Sequence, residues 1–234
     1  MIQCQSLSKS FGHTEAVSDL DLELVKGQVV GLLGRNGSGK STLMKLIAGL
    51  TNPTKGAITI GGQPPQQSRN ILAYVGDYLG FYPWMTKRDI SQAMSALFQD
   101  FNRRKFNHIT AELDIPNHEI GKMSKGQQQK LKLCATMARD SSLYLLDEPL
   151  SGIDILTRNE ILTQLIGNRE PNSLVIVTTH EIKDVEACLD HSIFMKDGRK
   201  VLDQSAKQIL DSGQTITEKF IHTLQKNVEG GSKV

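Results

Sequence analysis

Gly34-Arg35-Asn36-Gly37-Ser38-Gly39-Lys40-Ser41-Thr42 matches the pattern GxxxxGK[ST], and what surrounds it decides the fold. Just before it runs Val29-Val30-Gly31-Leu32-Leu33, a continuous apolar stretch of the kind found in strands buried on both faces. Just after it, Leu43, Leu46, Ile47 and Leu50 recur at helical spacing. Strand, glycine-rich turn and helix together describe a loop that holds phosphate. Glycines reach backbone angles closed to other residues, so successive N–H groups can turn inward toward anionic oxygens. The positive end of the helix dipole falls at the same point. In such a loop Lys40 reaches the β- and γ-phosphates and Ser41 ligates Mg²⁺. A glycine-rich turn with an exposed lysine is the alternative, and the flanking strand and helix speak against it.

Further along, Leu143-Tyr144-Leu145-Leu146 and Leu174-Val175-Ile176-Val177 read as two more buried strands, with a helix marked by Ile161, Leu162, Leu165 and Ile166 between them. Strands alternating with helices predict a parallel α/β sheet. Residues 1–33 hold shorter alternating runs, such as Asp19-Leu20-Asp21-Leu22-Glu23-Leu24, and Ala57-Ile58-Thr59-Ile60 ends at a Gly61-Gly62 turn. The middle is helical. Ile90, Ala93, Met94, Leu97, Phe98 and Phe101 share a helical face, and Thr86 with Asp89 resembles a capping box at its start. A second helix is expected from about 126 to 138, after Ser124. Residues 192–201 read as a hairpin turning at Asp197-Gly198.

Composition narrows the class. At about 150 residues per domain, 234 residues allow one large domain or two small ones. With 38% hydrophobic residues a sizeable core can form without disulfide or metal staples. The net charge of +2 argues against a protein that coats DNA. No apolar run approaches the ~18 residues of a membrane span. Met1-Ile2-Gln3-Cys4-Gln5 does not open a secretory signal. Cys4, Cys134 and Cys188 are odd in number and far apart, which excludes a disulfide framework or CxxC site and fits a reducing cytoplasm.

The Leu143–146 strand ends in Asp147-Glu148. In a parallel sheet the carboxyl ends of the strands form the ligand crevice, so both acids belong beside the phosphates. Asp147 suits the Mg²⁺ shell, directly or through water, and Glu148 suits a general base acting on the attacking water. Two other matches are coincidental. Asp77-Tyr78-Leu79-Gly80 fits DxxG and Thr86-Lys87-Arg88-Asp89 fits TKxD, but only five residues separate them and no strand fits between.

Met123-Ser124-Lys125-Gly126-Gln127 resembles the signature of ABC ATPases, commonly LSGGQ. With the phosphate loop, a Q-loop region, the Asp-Glu strand, Ser151-Gly152-Ile153-Asp154 resembling the D-loop, and His180 resembling the switch histidine, the motifs follow in the family's order. The chain thus resembles the nucleotide-binding subunit of an ABC transporter over nearly all its length. The resemblance implies an α/β fold: a P-loop NTPase core with a mostly parallel sheet, an N-terminal antiparallel β subdomain and an inserted α-helical subdomain. One domain is expected over 1–228, with its core at 1–77 and 138–205, the helical subdomain at 78–137 and C-terminal helices at 206–227; residues 229–234 would be a flexible tail.

ATP and Mg²⁺ are the implied cofactors. Glu148 and His180 would be catalytic. Residues 34–42 and Phe11, which matches the aromatic that stacks on adenine, would bind the nucleotide. Ser124, Gly126, Gln127 and Asp154 would bind it from the other member of a head-to-tail dimer. There the capped helix start at Ser124 offers N–H groups and dipole to the γ-phosphate. Ser41, Asp147 and Asp77 would serve the metal. Asp77 replaces the usual glutamine of the Q-loop; it can accept from metal-bound water but cannot donate. Lys125 replaces a glycine, adding a Cβ and a charge near phosphate.

Phe81-Tyr82-Pro83-Trp84-Met85 holds the only tryptophan, and apolar surface of this kind marks a binding groove. By resemblance it lies where an integral membrane permease docks. The implied function is an ATPase subunit, cytoplasmic and peripheral on the membrane through the permease, with export favoured by the Asp77 and Lys125 variants. A soluble ABC-type ATPase acting on ribosomes or nucleic acid is the alternative. It is disfavoured because the chain holds one such domain and no sustained heptads. No nucleic-acid partner is expected, and Arg103-Arg104-Lys105 reads as a solvated face. A catalytically silent subunit is disfavoured because Lys40, Glu148 and His180 are all present.

Overall fold

The computed structural model describes residues 1–76 and 80–229. Asp77 lies outside the described residues, as does the expected tail apart from Glu229. Strands β1 (Ile2–Phe11), β2 (Thr14–Leu24) and β4 (Lys55–Ile60) form an antiparallel sheet in the order β2-β1-β4. The second sheet has the order β5-β6-β7-β3-β8-β9. Its strands are β3 (Val29–Gly34), β5 (Leu72–Val75), β6 (Leu143–Asp147), β7 (Leu174–Thr179), β8 (His191–Lys196) and β9 (Arg199–Ser205). All neighbours in it run parallel except β9, which turns back on β8. The fold is the expected P-loop α/β architecture with an antiparallel β layer.

Every residue of β3, β6 and β7 is buried, which is why these strands read as unbroken apolar runs. The pleat sends successive side chains to opposite faces. Val29 and Leu33 join one core with Tyr144, Leu146 and Val177. Val30 and Leu32 join the other, with Leu145, Ile176 and the apolar face of helix α1 (Lys40–Ile47). Among the described residues six further α-helices follow: α2 (Lys87–Leu97), α3 (Arg103–Glu112), α4 (Lys125–Met137), α5 (Arg158–Gly167), α6 (Ala206–Asp211) and α7 (Ile216–Glu229). Among the described residues no helix is long and apolar enough to cross a membrane.

The capping box at Thr86 is present: the Thr86 amide donates to Asp89 at 2.8 Å, and the Asp89 amide donates to the Thr86 hydroxyl at 3.4 Å. These bonds hold the Asp89 carboxyl below its ordinary pKa, the backbone one contributing most. The TKxD match is therefore a helix cap. The helix itself stops earlier than its apolar spacing implies. Phe98 adopts extended angles (φ −128°, ψ 115°) and Phe101 bridges to Arg139. The reason is Arg139, which is only 5% exposed. Its guanidinium grips Asp100 through Nε and Nη2, both at 2.9 Å, donates to the Leu72 carbonyl at 2.6 Å and lies 4.1 Å from the centroid of the Phe98 ring. Asp100 can reach it only if the chain leaves the helix after Leu97. One side chain thereby ties the segment after α2 to β5.

The β8–β9 hairpin turns at Asp197 (φ 48°) and Gly198 (φ 76°), as an Asp-Gly pair does when both central residues are left-handed. This turn buttresses the phosphate loop. The Gly198 amide donates to the Ser38 carbonyl at 3.1 Å, while the Gly198 carbonyl accepts from the Ser18 amide at 2.9 Å.

Removing Arg139 leaves the Asp100 carboxylate without a counter-charge, held only by the Ser141 hydroxyl at 2.9 Å, and empties the buried volume of the guanidinium. Arg139→Ala is therefore expected to cost about 3 kcal/mol in urea denaturation. A midpoint unchanged from the parent chain would show that the link carries no stability.

Candidate active site

The phosphate loop joins β3 to α1. Gly39 takes φ 101°, and a Cβ there would sit 2.3 Å from the Ala16 carbonyl oxygen, so only glycine fits. Lys40 opens the helix with its side chain buried, and its ammonium donates to the carbonyls of Gly34 at 2.8 Å and Arg35 at 3.2 Å. Burial lowers its pKa, while the carboxylates of Glu148 and Asp147 act in the opposite sense. Residues 34–38 line a cleft of about 600 Å³ together with His180, the Asp197 turn and, from α7, Phe220 and Leu224. Ser41 and Thr42 follow in the first turn of α1.

The carboxyl ends of β6 and β7 bring up the acids. Asp147 pairs in register with Thr178 and is 3% exposed. Its Oδ1 accepts from the Ser41 hydroxyl at 3.1 Å and from the Thr178 hydroxyl at 2.5 Å. Its Oδ2 is buried with no hydrogen-bond partner among the described residues. A buried carboxylate oxygen without a donor, beside a serine hydroxyl, is an oxygen-only donor set that suits a hard divalent cation. Ser41 and Asp147 thus fit Mg²⁺.

Glu148 stands at φ 45°, an unusual conformation for a residue with a side chain. Its amide donates to the Thr178 hydroxyl at 2.9 Å. Both of its carboxylate oxygens lie 3.1 Å from Nδ1 of His180, which follows β7 directly. An ionised carboxylate can only accept, so the proton on Nδ1 points to Glu148. Thr178 orients both acids at once, and no sequence motif marks it. Its signal is the strand register, and a single chain read linearly does not display that.

The remaining predicted residues lie elsewhere. Ser124 caps α4: its hydroxyl accepts from the Gln127 amide at 3.2 Å and its amide donates to Gln127 Oε1 at 2.9 Å. The Gln127 side chain is therefore engaged in its own helix cap. Gly126 packs against the Ser151–Asp154 turn, where a Cβ would come 2.9 Å from the Gly152 carbonyl oxygen. Asp154 caps the turn that follows it, accepting from the Leu156 amide at 2.8 Å. Ser124, Gly126, Gln127 and Asp154 do not line the cleft of the phosphate loop. Neither does Phe11, which sits at the end of β1, 55% exposed, with the Lys9 ammonium 4.9 Å from its ring centroid. The fold thus gathers residues 34–41, 147, 148, 178 and 180, and Phe11, Ser124, Gly126, Gln127 and Asp154 make no contact with them among the bonds described above.

Comparison with known proteins bears on this arrangement. Residues 17–151 match the ABC transporter family. The chain is 34% identical over 203 residues to the aliphatic sulfonates import ATP-binding protein SsuB of Pseudomonas putida, covering 85% of this chain and 74% of that one. It is 29% identical to the SkfA peptide export ATP-binding protein SkfE of Bacillus subtilis, covering 92% and 93%. Among solved structures it superposes on the dimeric bacterial ABC transporter cassette MJ0796 with a TM-score of 0.76 and 23% identity, over 88% of this chain and 98% of that one. A phosphate loop, an acid pair and a histidine meet at the carboxyl ends of three adjacent inner strands, and the match covers more than half of the chain. It belongs to the ABC transporter family, as an ATP-binding subunit that hydrolyses ATP.

Proposed function

We propose that two copies of this chain, or one copy and a related subunit, close head-to-tail around ATP and so drive a conformational change in a separate membrane permease. The observation that carries the proposal is the Glu148–His180 pair, held beside Lys40 and Asp147 at one end of the sheet. Residues 34–42 cradle the polyphosphate, and Lys40 exchanges its carbonyl partners for phosphate oxygens. Ser41 and Asp147 would hold Mg²⁺, with Asp77 accepting from its water shell; the ion would neutralise charge developing on the phosphates. Glu148 takes the proton of the attacking water as general base, and His180 fixes the carboxylate through Nδ1. Phe11 stacks on the adenine. Ser124 and Gly126, with Gln127 and Asp154 behind them, complete the partner's site. The dimeric form of the MJ0796 cassette supports this.

The chain acts in this reading as one domain, with core 1–77 and 138–205, helical part 78–137 and C-terminal helices from 206. Its place is the inner face of the membrane, held there by the permease. Docking falls to residues 81–85. Met85 is buried, but Tyr82 and Trp84 are 65% and 64% exposed and stack on each other at 5.7 Å. Beside them opens a largely apolar groove of about 710 Å³ walled by Phe81, Met94, Leu97 and Phe98. Export is supported by the Asp77 and Lys125 variants and by the likeness to SkfE, whereas the likeness to SsuB supports import.

Glu148→Gln is expected to lower the turnover of ATP by about 10²–10³-fold while ATP binding is kept and an ATP-dependent dimer accumulates in size-exclusion chromatography. An unaltered turnover would end the assignment of Glu148 as base. Lys40→Met removes a charged donor to phosphate, so ATP affinity by calorimetry should fall at least about tenfold. Trp84 is the only tryptophan, so its emission should shift to the blue when the permease binds. Unchanged emission in a formed complex would place the docking elsewhere.

A further inference from the structure

We propose that Arg158 and Asp184 are positioning residues for hydrolysis: their ion pair locks the turn that follows Glu148 to the turn that follows His180. The inference rests on the reading of Glu148 and His180 as the hydrolytic pair. Those two residues cap separate strands, and their side chains are 27% and 48% exposed, so packing alone does little to orient them. A path of polar contacts runs around behind them. The Ser151 amide donates to the Glu148 carbonyl at 3.2 Å, starting the turn that ends at Asp154. Within that turn the Ile153 carbonyl accepts from Arg158 Nε at 3.0 Å. Arg158 Nη1 then donates to Asp184 Oδ2 at 2.8 Å. Asp184 closes the short helical turn Ile182–Asp184, two residues after His180.

The direct contact between Glu148 and His180 is thus one side of a closed ring, and the guanidinium is its far side. Apolar anchors exist on both arms, for Ile153 and Ile182 are buried. Apolar contact fixes position but does not aim a carbonyl or a carboxylate, whereas a planar fork with two directed donors does. The pair is half-buried, at 19% and 16% side-chain exposure, which shields it from screening by salt. Small misplacement of reacting groups is expensive in rate: a shift of about 1 Å can cost about 10²-fold.

The test is a double-mutant cycle on steady-state ATP hydrolysis by the full chain, with Arg158→Met, Asp184→Ala and the double variant, and His180→Ala as reference. Each single change should lower kcat about tenfold with KM for ATP within about twofold, and the double should be no slower than the slower single, because the same link is cut. Asp184→Glu, which restores the carboxylate, should return kcat to within about threefold of the parent. If Arg158→Met does not fold, Asp184→Asn, judged by its melting curve, carries the same expectation. Singles with the parent's kcat, or losses that multiply in the double, would overturn the link provided His180→Ala is slow. If His180→Ala itself turns over like the parent, the reading of the hydrolytic pair fails and the link with it.

Discussion

Register between three buried strands is the constraint on which the site depends. Leu33 of β3 lies opposite Thr179 of β7, and Thr178 lies opposite Asp147 of β6. The phosphate loop, the acid pair and the histidine therefore leave the sheet at one level. A slip by one residue would send every side chain of the moved strand to the opposite face. Here both faces are occupied by different apolar clusters, so a slip would exchange the core contacts of the whole strand. The chemistry of the site is thus held by hydrophobic burial some distance from any charge.

The polar groups of the site are then few and closely matched. Thr178 shows how: a single hydroxyl donates to Asp147 and accepts from the Glu148 amide, which uses both of its capacities and sets two consecutive acids at once. Glu148 stands at a positive φ, a conformation that costs of order 1 kcal/mol or more and persists where neighbours over-determine it. The amide bond to Thr178 and the carboxylate contacts to His180 supply that determination.

Much of this was legible in the linear sequence because it has a local signature. Val29-Val30-Gly31-Leu32-Leu33 announces a strand buried on both sides, and the glycines after it announce the turn into α1. Ser124 and Thr86 announced helix starts, and both caps are present. Asp197-Gly198 announced a hairpin. What escaped depends on distant partners. The apolar spacing of α2 runs on to Phe101, yet the helix ends at Leu97 because Arg139, some forty residues later, claims Asp100. Thr178, Arg158 and Asp184 carry no motif: strand register sets Thr178 beside Asp147 and Glu148, and two turns set Arg158 beside Asp184, partners far away in the chain. Gln127 belongs to a motif, and the cap bond its side chain makes to the Ser124 amide is a local one that the S-x-x-Q spacing itself displays.

The hairpin turn against the phosphate loop has a consequence for how nucleotide is captured. Gly198 grips the Ser38 carbonyl from outside, and Ala16 presses on Gly39, so the cradle is built as part of the folded scaffold. Ordering the loop is an entropic cost already met when the chain folds, and the incoming polyphosphate does not have to supply it. On the proposed reading of the site, a slackened hairpin would thus leave Glu148 and His180 untouched and instead make the empty cradle wander among shapes, so that fewer encounters with nucleotide end in capture.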